Sequence, residues 1–93
     1  MTRESPLSEL EATYALRILA TLHKEGKMFR SILYNKVSKS TKAPQLRVDT
    51  LIQIGLIDEA VSELAPFSKT VSLTEKGRKV AEKVAEIEEV LMG

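Results

Sequence analysis

The sequence contains no cysteine and no tryptophan, and its 93 residues include only two tyrosines and two phenylalanines as aromatics. Without cysteine there are no disulfides, no thiolate zinc sites and no thiol catalysis. A single histidine, His23, rules out a Cys/His metal cluster and leaves no Ser/His/Asp set. His23 stands beside Lys24 at the end of an apolar-periodic stretch, where it reads as a partner for a helix C-terminus and not as a catalyst. No glycine-rich phosphate loop is present. Apolar runs all fall well short of the roughly 20 residues that a membrane-spanning helix needs. The first residues carry Glu4 and Glu9 and lack the apolar region of a secretory signal. These absences lead us to expect a cytoplasmic protein that is not an enzyme and holds no cofactor or metal.

What remains is a chain of ordinary globular composition, 43% apolar and 29% charged. At this length it fits one domain, which removes about 60–65% of its unfolded surface from water and leaves little room for an enclosed substrate cavity. The formal net charge is only +1, but it is unevenly placed. Residues 1–56 hold nine Lys/Arg against five Asp/Glu, and residues 57–93 hold five against eight. Between Lys24 and Arg47 seven basic residues face one acid, Glu25. That stretch is either a phosphate-facing patch or a lysine-rich solvated surface, and charge alone does not choose between them.

Periodicity divides the chain. Ala12, Ala15, Leu16, Leu19 and Leu22 keep helical spacing, with Tyr14 and Ile18 beside them, and predict one helix from Ser8 to about Lys24. Ser8 with Glu11 fits a capping box, and Leu7 with Ala12 a hydrophobic staple. Met28 and Phe29 suit a short edge strand. Ser31–Val37 follows as a helix with Ile32, Leu33 and Val37 inward, and then a polar turn, Ser38–Lys42. The next helix, about Lys42 to Ile54, places Pro44, Val48 and Leu51 on one face and Lys42, Gln45, Asp49 and Gln53 on the other. Leu46 lies on the polar side and is expected to pack against a neighbouring helix, the alternative being contact with a thymine methyl. Gly55 supplies the left-handed stop. Ile57–Leu64 and Thr70–Leu73 read as antiparallel strands around a turn, with Phe67 expected to fold back from its tip. Thr74 caps a last helix running to about Met92. Its residues Val80, Val84, Ile87 and Leu91 recur at spacings of four, three and four, a coiled-coil seam that predicts pairing with a second copy. Packing on the first helix is the single-chain alternative. Glu82, Glu86 and Glu89 lie on the solvent face of this helix.

Two local sequences carry a family resemblance. Leu73-Thr74-Glu75-Lys76-Gly77-Arg78 is similar to the Leu-Thr-x-x-Gly that leads from the wing into the last helix of winged helix-turn-helix proteins. Leu51-Ile52-Gln53-Ile54-Gly55-Leu56-Ile57 resembles their Leu-x-x-x-Gly-Leu-Ile, the end of the recognition helix and start of the wing. With the order of elements, the resemblance covers roughly Tyr14 to Leu91, and the chain looks most like small archaeal and bacterial regulators of the MarR, PadR and HxlR kind, the small archaeal winged-helix proteins above all. The resemblance implies a mainly α fold with a small β-hairpin (α+β): a three-helix core, a wing and a long C-terminal helix, in a single domain over residues 1–93 with its core at about 8–73. It implies that the helix near Lys42–Ile54 enters the major groove. Base-edge candidates carried over by position are Lys42, Gln45, Leu46 and Asp49; Asp49 could instead orient a nearby cation. Phosphate candidates are Lys39, Ser40, Thr41, Arg47 and Lys69, with Arg30 and Lys36 as weaker ones. The seam Val80, Val84, Ile87 and Leu91 would join two copies. The strands of the wing depart from strong DNA binders in being acidic, with Asp58, Glu59 and Glu63 and a single tip lysine.

The expected function is therefore sequence-specific binding of double-stranded DNA by a homodimeric transcriptional regulator. The alternative is a winged-helix module that docks proteins with weak or no DNA binding. No particular small-molecule effector is indicated.

Overall fold

Ala15, Ile18, Leu19 and Leu22 recur at helical spacing, and all four are buried in the helix around which the others pack. A computed structural model describes residues 5–40, 42–63 and 68–93. In chain order the elements are α1 (Ser8–Glu11), α2 (Ala15–Glu25), β1 (Met28–Phe29), α3 (Arg30–Val37), α4 (Lys42–Gln53), β2 (Ile57–Val61), β3 (Lys69–Leu73) and α5 (Glu75–Met92). The described residues are thus mainly helical, with one small antiparallel sheet, as the sequence predicts. Its strand order is β1-β3-β2, so that the two-residue strand Met28–Phe29 caps the free edge of a hairpin. Met28 pairs with Val71 and Phe29 with Thr70, while β2 pairs with β3 from Ile57↔Leu73 to Val61↔Lys69. The core joins α2 to Leu33 and Val37 of α3, Val48 and Leu51 of α4, Leu56, Ile57, Val71 and Ala81.

The first helix is not continuous. It breaks after Glu11, and Tyr14 adopts a left-handed backbone conformation at φ 70°. The capping box expected from Ser8 and Glu11 does not form: Leu7 holds the cap position with no side-chain hydrogen bond. Local helical propensity is overridden by tertiary bonds at the break. The Thr13 carbonyl accepts from Arg47 Nε at 3.1 Å, and the Tyr14 hydroxyl accepts from Ser38 Oγ at 3.1 Å. A non-glycine residue in this conformation costs on the order of 1–3 kcal/mol and persists only where its surroundings hold it. Within α2 the stripe of Ala15, Leu19 and Leu22 is buried as expected and Ile18 joins it, while Leu16 is exposed. In α3, likewise, Leu33 and Val37 point inward and Ile32 does not. Strand β2 ends at Val61, short of the expected Leu64; Leu64 and Phe67 lie outside the described residues.

The two motifs meet. At the end of α4, the Gly55 amide donates to the Ile52 carbonyl at 3.1 Å and the Leu56 amide to the Leu51 carbonyl at 3.0 Å. With Gly55 at φ 84°, this pair of bonds is a Schellman stop. Thr74 binds both sides of the junction: its hydroxyl donates to the Gly55 carbonyl at 2.7 Å and accepts from the Gly77 amide at 2.9 Å. Its own amide donates to the Leu56 carbonyl at 3.1 Å. Thr74→Ala loses the N-cap and one tertiary hydrogen bond together, and is expected to lower stability by about 1–2 kcal/mol in a denaturant titration. Thr74→Ser, which keeps the hydroxyl, should recover most of it.

Helix α5 packs mainly on α2. Ala81 is buried and Val80, Val84 and Ala85 are half-buried, so the first half of the seam is covered by the chain itself. Beyond it the cover ends, and Ile87, Val90, Leu91 and Met92 are exposed, Leu91 at 80%. Among the described residues no helix is long and apolar enough to cross a membrane.

Candidate nucleic-acid interface

Helix α4 turns Pro44, Val48 and Leu51 into the core. That fixes its opposite face: Lys42, Gln45, Leu46, Asp49 and Gln53 are all exposed. Leu46 is 63% exposed and does not pack against a neighbouring helix, contrary to the expectation from its apolar character. The helical repeat decides this, because a residue two positions from Pro44 and Val48 cannot share their face. The turn into α4 is held from behind. Ser38 Oγ accepts from the Ser40 amide at 3.0 Å while donating to Tyr14, leaving Lys39 and Ser40 exposed at the surface. Thr41 lies outside the described residues.

Charges in this region differ sharply in how free they are. Lys39 and Lys42 have no ion-pair partner among the described residues. Arg47 uses Nε on the Thr13 carbonyl and has no carboxylate partner among them. Lys36 is paired with Glu25 at 2.8 Å, and Lys69 stands 3.7 Å from Glu59. Arg30 departs most from expectation. Its guanidinium donates from Nε to the Tyr34 hydroxyl at 2.6 Å, from Nη2 to Asp49 Oδ1 at 2.8 Å, and from Nη1 to Glu59. Burial alone would lower its pKa, but the hydrogen bonds to Asp49, Glu59 and Tyr34 outweigh burial and raise it above the ordinary arginine value. The guanidinium expected to face phosphate is thus part-buried and held by three side chains. Asp49, expected at a base edge or beside a cation, is the ion-pair partner of this guanidinium at 2.8 Å. Sequence reasoning missed Tyr34 and Glu59 as members of this set: Tyr34 is one turn along the same helix, a local spacing that could have been read, whereas Glu59 reaches Arg30 only through tertiary contact. Among the described residues no cluster of His, Asp or Glu could hold a metal ion.

The arrangement is a helix with an exposed polar face, entered through a basic turn and flanked by a two-stranded hairpin. The model of the ArnR1-like winged-helix domain matches residues 6–91. The chain belongs to that family. In its terms α3 and α4 form the helix-turn-helix, α4 is the recognition helix and β2–β3 is the wing. Solved winged-helix structures agree. A protein described as the transcriptional regulator ytfH of Salmonella typhimurium superposes with a TM-score of 0.78 at 25% identity, covering 92% of this chain and 77% of that one. A MarR family transcriptional regulator from Silicibacter pomeroyi gives 0.78 at 26%, over 91% and 57%. A MarR variant from E. coli, solved with operator DNA, gives 0.72 at 21%, over 86% and 58%, a likeness of fold alone. This chain therefore spans little more than half the length of the last two. No curated protein matches the sequence.

Proposed function

We propose that this winged helix is a homodimeric, sequence-specific double-stranded DNA-binding protein that regulates transcription, and that it is not an enzyme. The observation that carries the reading is the exposed face of α4, with Lys39 and Lys42 at its entry free of ion pairs among the described residues. Solved proteins of the same fold whose structures contain DNA support it, MarR with its operator and FabT of Streptococcus pneumoniae among them. In the major groove, exposed Gln45 would pair with adenine, Lys42 would reach guanine and Leu46 would meet a thymine methyl. Asp49 borders this set, but its carboxylate is committed to Arg30. Lys39, Ser40, Thr41 and Arg47 would take phosphates beside the turn, with Lys69 doing so from the wing. Lys36, tied to Glu25, contributes less.

For the second copy, the uncovered end of α5 offers Ile87 and Leu91, next to an open groove of about 960 Å³ that Leu10, Leu16 and Ala20 also line. Val80 and Val84, half-covered within the chain, would flank that contact. Such a dimer presents two recognition helices to half-sites about one helical turn apart.

Titration onto labelled duplex at several salt concentrations tests the proposal, with sedimentation to read the oligomeric state. The expected result is a dimer whose log K falls with log salt by about 0.9 for each phosphate neutralised. No binding at about 50 mM salt, where such contacts are strong, overturns it in favour of a protein-docking module.

A further inference from the structure

The acidic wing looks at first like an obstacle to DNA. Glu59, however, points away from open solvent: one of its oxygens accepts from Arg30 Nη1 and the other lies 3.7 Å from Lys69. Arg30 itself is the first residue of α3, and its side chain is only 13% exposed. It reaches three elements at once, holding Tyr34 one turn along its own helix, Asp49 and the Gln45 carbonyl on α4, and Glu59 on β2. The Gln45 contact is the longest of these, at 3.4 Å. The guanidinium also sits 5.6 Å from the centre of the Tyr34 ring. Four acceptors are thus arranged around one rigid planar fork, a geometry that lysine's point charge cannot reproduce.

A phosphate approaching this guanidinium would have to displace a carboxylate, and the two carboxylates already there would repel it. We infer that Arg30 is a positioning residue: it fastens the wing to the recognition helix, so that discrimination between DNA sequences depends on it while phosphate affinity does not. The inference rests on the DNA-binding reading above. Its physical content is that α4 and the wing must meet one duplex in register. The bond network sets the spacing of Gln45 from Lys69, both of which border the cleft above Arg30 together with Ser31 and Ser68. Released from Arg30, the described part of the hairpin is guided by its strand pairing to β1 and its contacts with the core. Glu59 is on this account a tether and not a charge turned toward DNA.

Four proteins test this: the parent chain, Arg30→Lys, Arg30→Gln and Glu59→Gln. Each is titrated with a duplex selected from a random pool and with a scrambled duplex of equal length, at several salt concentrations. A tether predicts that Arg30→Gln and Glu59→Gln each reduce the preference for the selected duplex by about tenfold. The salt slope should stay within about half a unit of the parent's. Arg30→Lys should fail to restore the preference, although it keeps the charge. The inference is overturned if Arg30→Gln weakens both duplexes alike, lowers the slope by about one unit, and is rescued by lysine, the behaviour of a phosphate ligand. It is also overturned if Glu59→Gln tightens binding to both duplexes, as removal of a repelling charge would. Should Arg30→Gln fail to fold, Glu59→Gln decides the matter, because the two readings give it opposite signs. A parent chain that binds no duplex, or binds both equally, removes the DNA-binding proposal and this inference with it. Rescue by lysine in a parent that discriminates removes the inference alone.

Discussion

Alanine at position 77 is expected to destabilise the protein by about 3 kcal/mol or more, although the same change inside an exposed helix ordinarily stabilises by about 1 kcal/mol. Gly77 lies in the first turn of α5, directly over the chain that leaves α4. A Cβ there would stand 2.0 Å from the Leu56 carbonyl oxygen, 2.9 Å from its carbon and 3.3 Å from its Cα. All three are backbone atoms, so no rotamer relieves the overlap. Nor can the peptide rotate freely, since the same carbonyl accepts from the Thr74 amide, and the Leu56 amide completes the stop at Gly55. Relief requires α5 to lift from the junction, which exposes Ala81 and frees the hydroxyl of Thr74 from Gly55. For a domain of this size the loss corresponds to a fall in melting temperature of about 12 °C or more. Thermal unfolding at fixed protein concentration measures it, with Glu82→Ala, exposed on the same helix, as the control. A Gly77→Ala protein that melts at or above the parent temperature would refute the close approach.

The second large effect is on binding. Reversing Lys39 and Lys42 together, to Glu, is expected to weaken duplex affinity at least about 100-fold near 0.1 M salt and to reduce the salt slope by about one unit per subunit, the share of the phosphate-facing Lys39. Both side chains are exposed at the entry to α4 and have no carboxylate partner among the described residues. The change therefore removes two attractions and adds two repulsions without breaking an internal bond. Circular dichroism and oligomeric state should be unaltered. Lys36→Glu is the informative contrast, because Lys36 already faces Glu25 and its charge is largely neutralised. Its effect on affinity should be several-fold smaller. If the double variant binds within about threefold of the parent, the basic turn is a solvated surface and α4 does not lie along a phosphate backbone. Arg47 is better left out of this experiment, since its bond to Thr13 links α4 to the break before α2.

Short-range physics made much of the fold legible in the sequence. Helical spacing marked α2, α4 and α5, and the Gly55 stop and Thr74 cap stand where expected, because capping needs only a residue and its immediate neighbours. The motif Leu73-Thr74-x-x-Gly77 was recognisable as a pattern, and the structure supplies its reasons: Leu73 packs on the core, Thr74 bonds both ways, and Gly77 makes room for a carbonyl. The polar face of α4 was equally readable from its repeat, except that Leu46, expected to pack because of its apolar character, is exposed as the repeat alone would place it.

Other features depend on contacts between residues far apart in the chain, and no local pattern encodes those. The break at Tyr14 contradicts a continuous apolar stripe; bonds from Arg47 and Ser38 to this segment accompany it. A count of charges put Arg30, Lys36 and Lys39 in one basic stretch, yet Asp49 and Glu59 come from later in the chain to claim Arg30, while Lys39 stays open. The seam of α5 was visible at full length, but only packing against α2 divided it into a covered half and an exposed half ending at Leu91. By itself, then, the sequence determined the order of the elements from α2 onward, the Gly55 stop, the Thr74 cap and the face that α4 presents, since each follows from the geometry of a single helix or turn. Tertiary structure alone decided which charges are free to meet a phosphate, because a cation's freedom depends on the carboxylates that folding brings beside it.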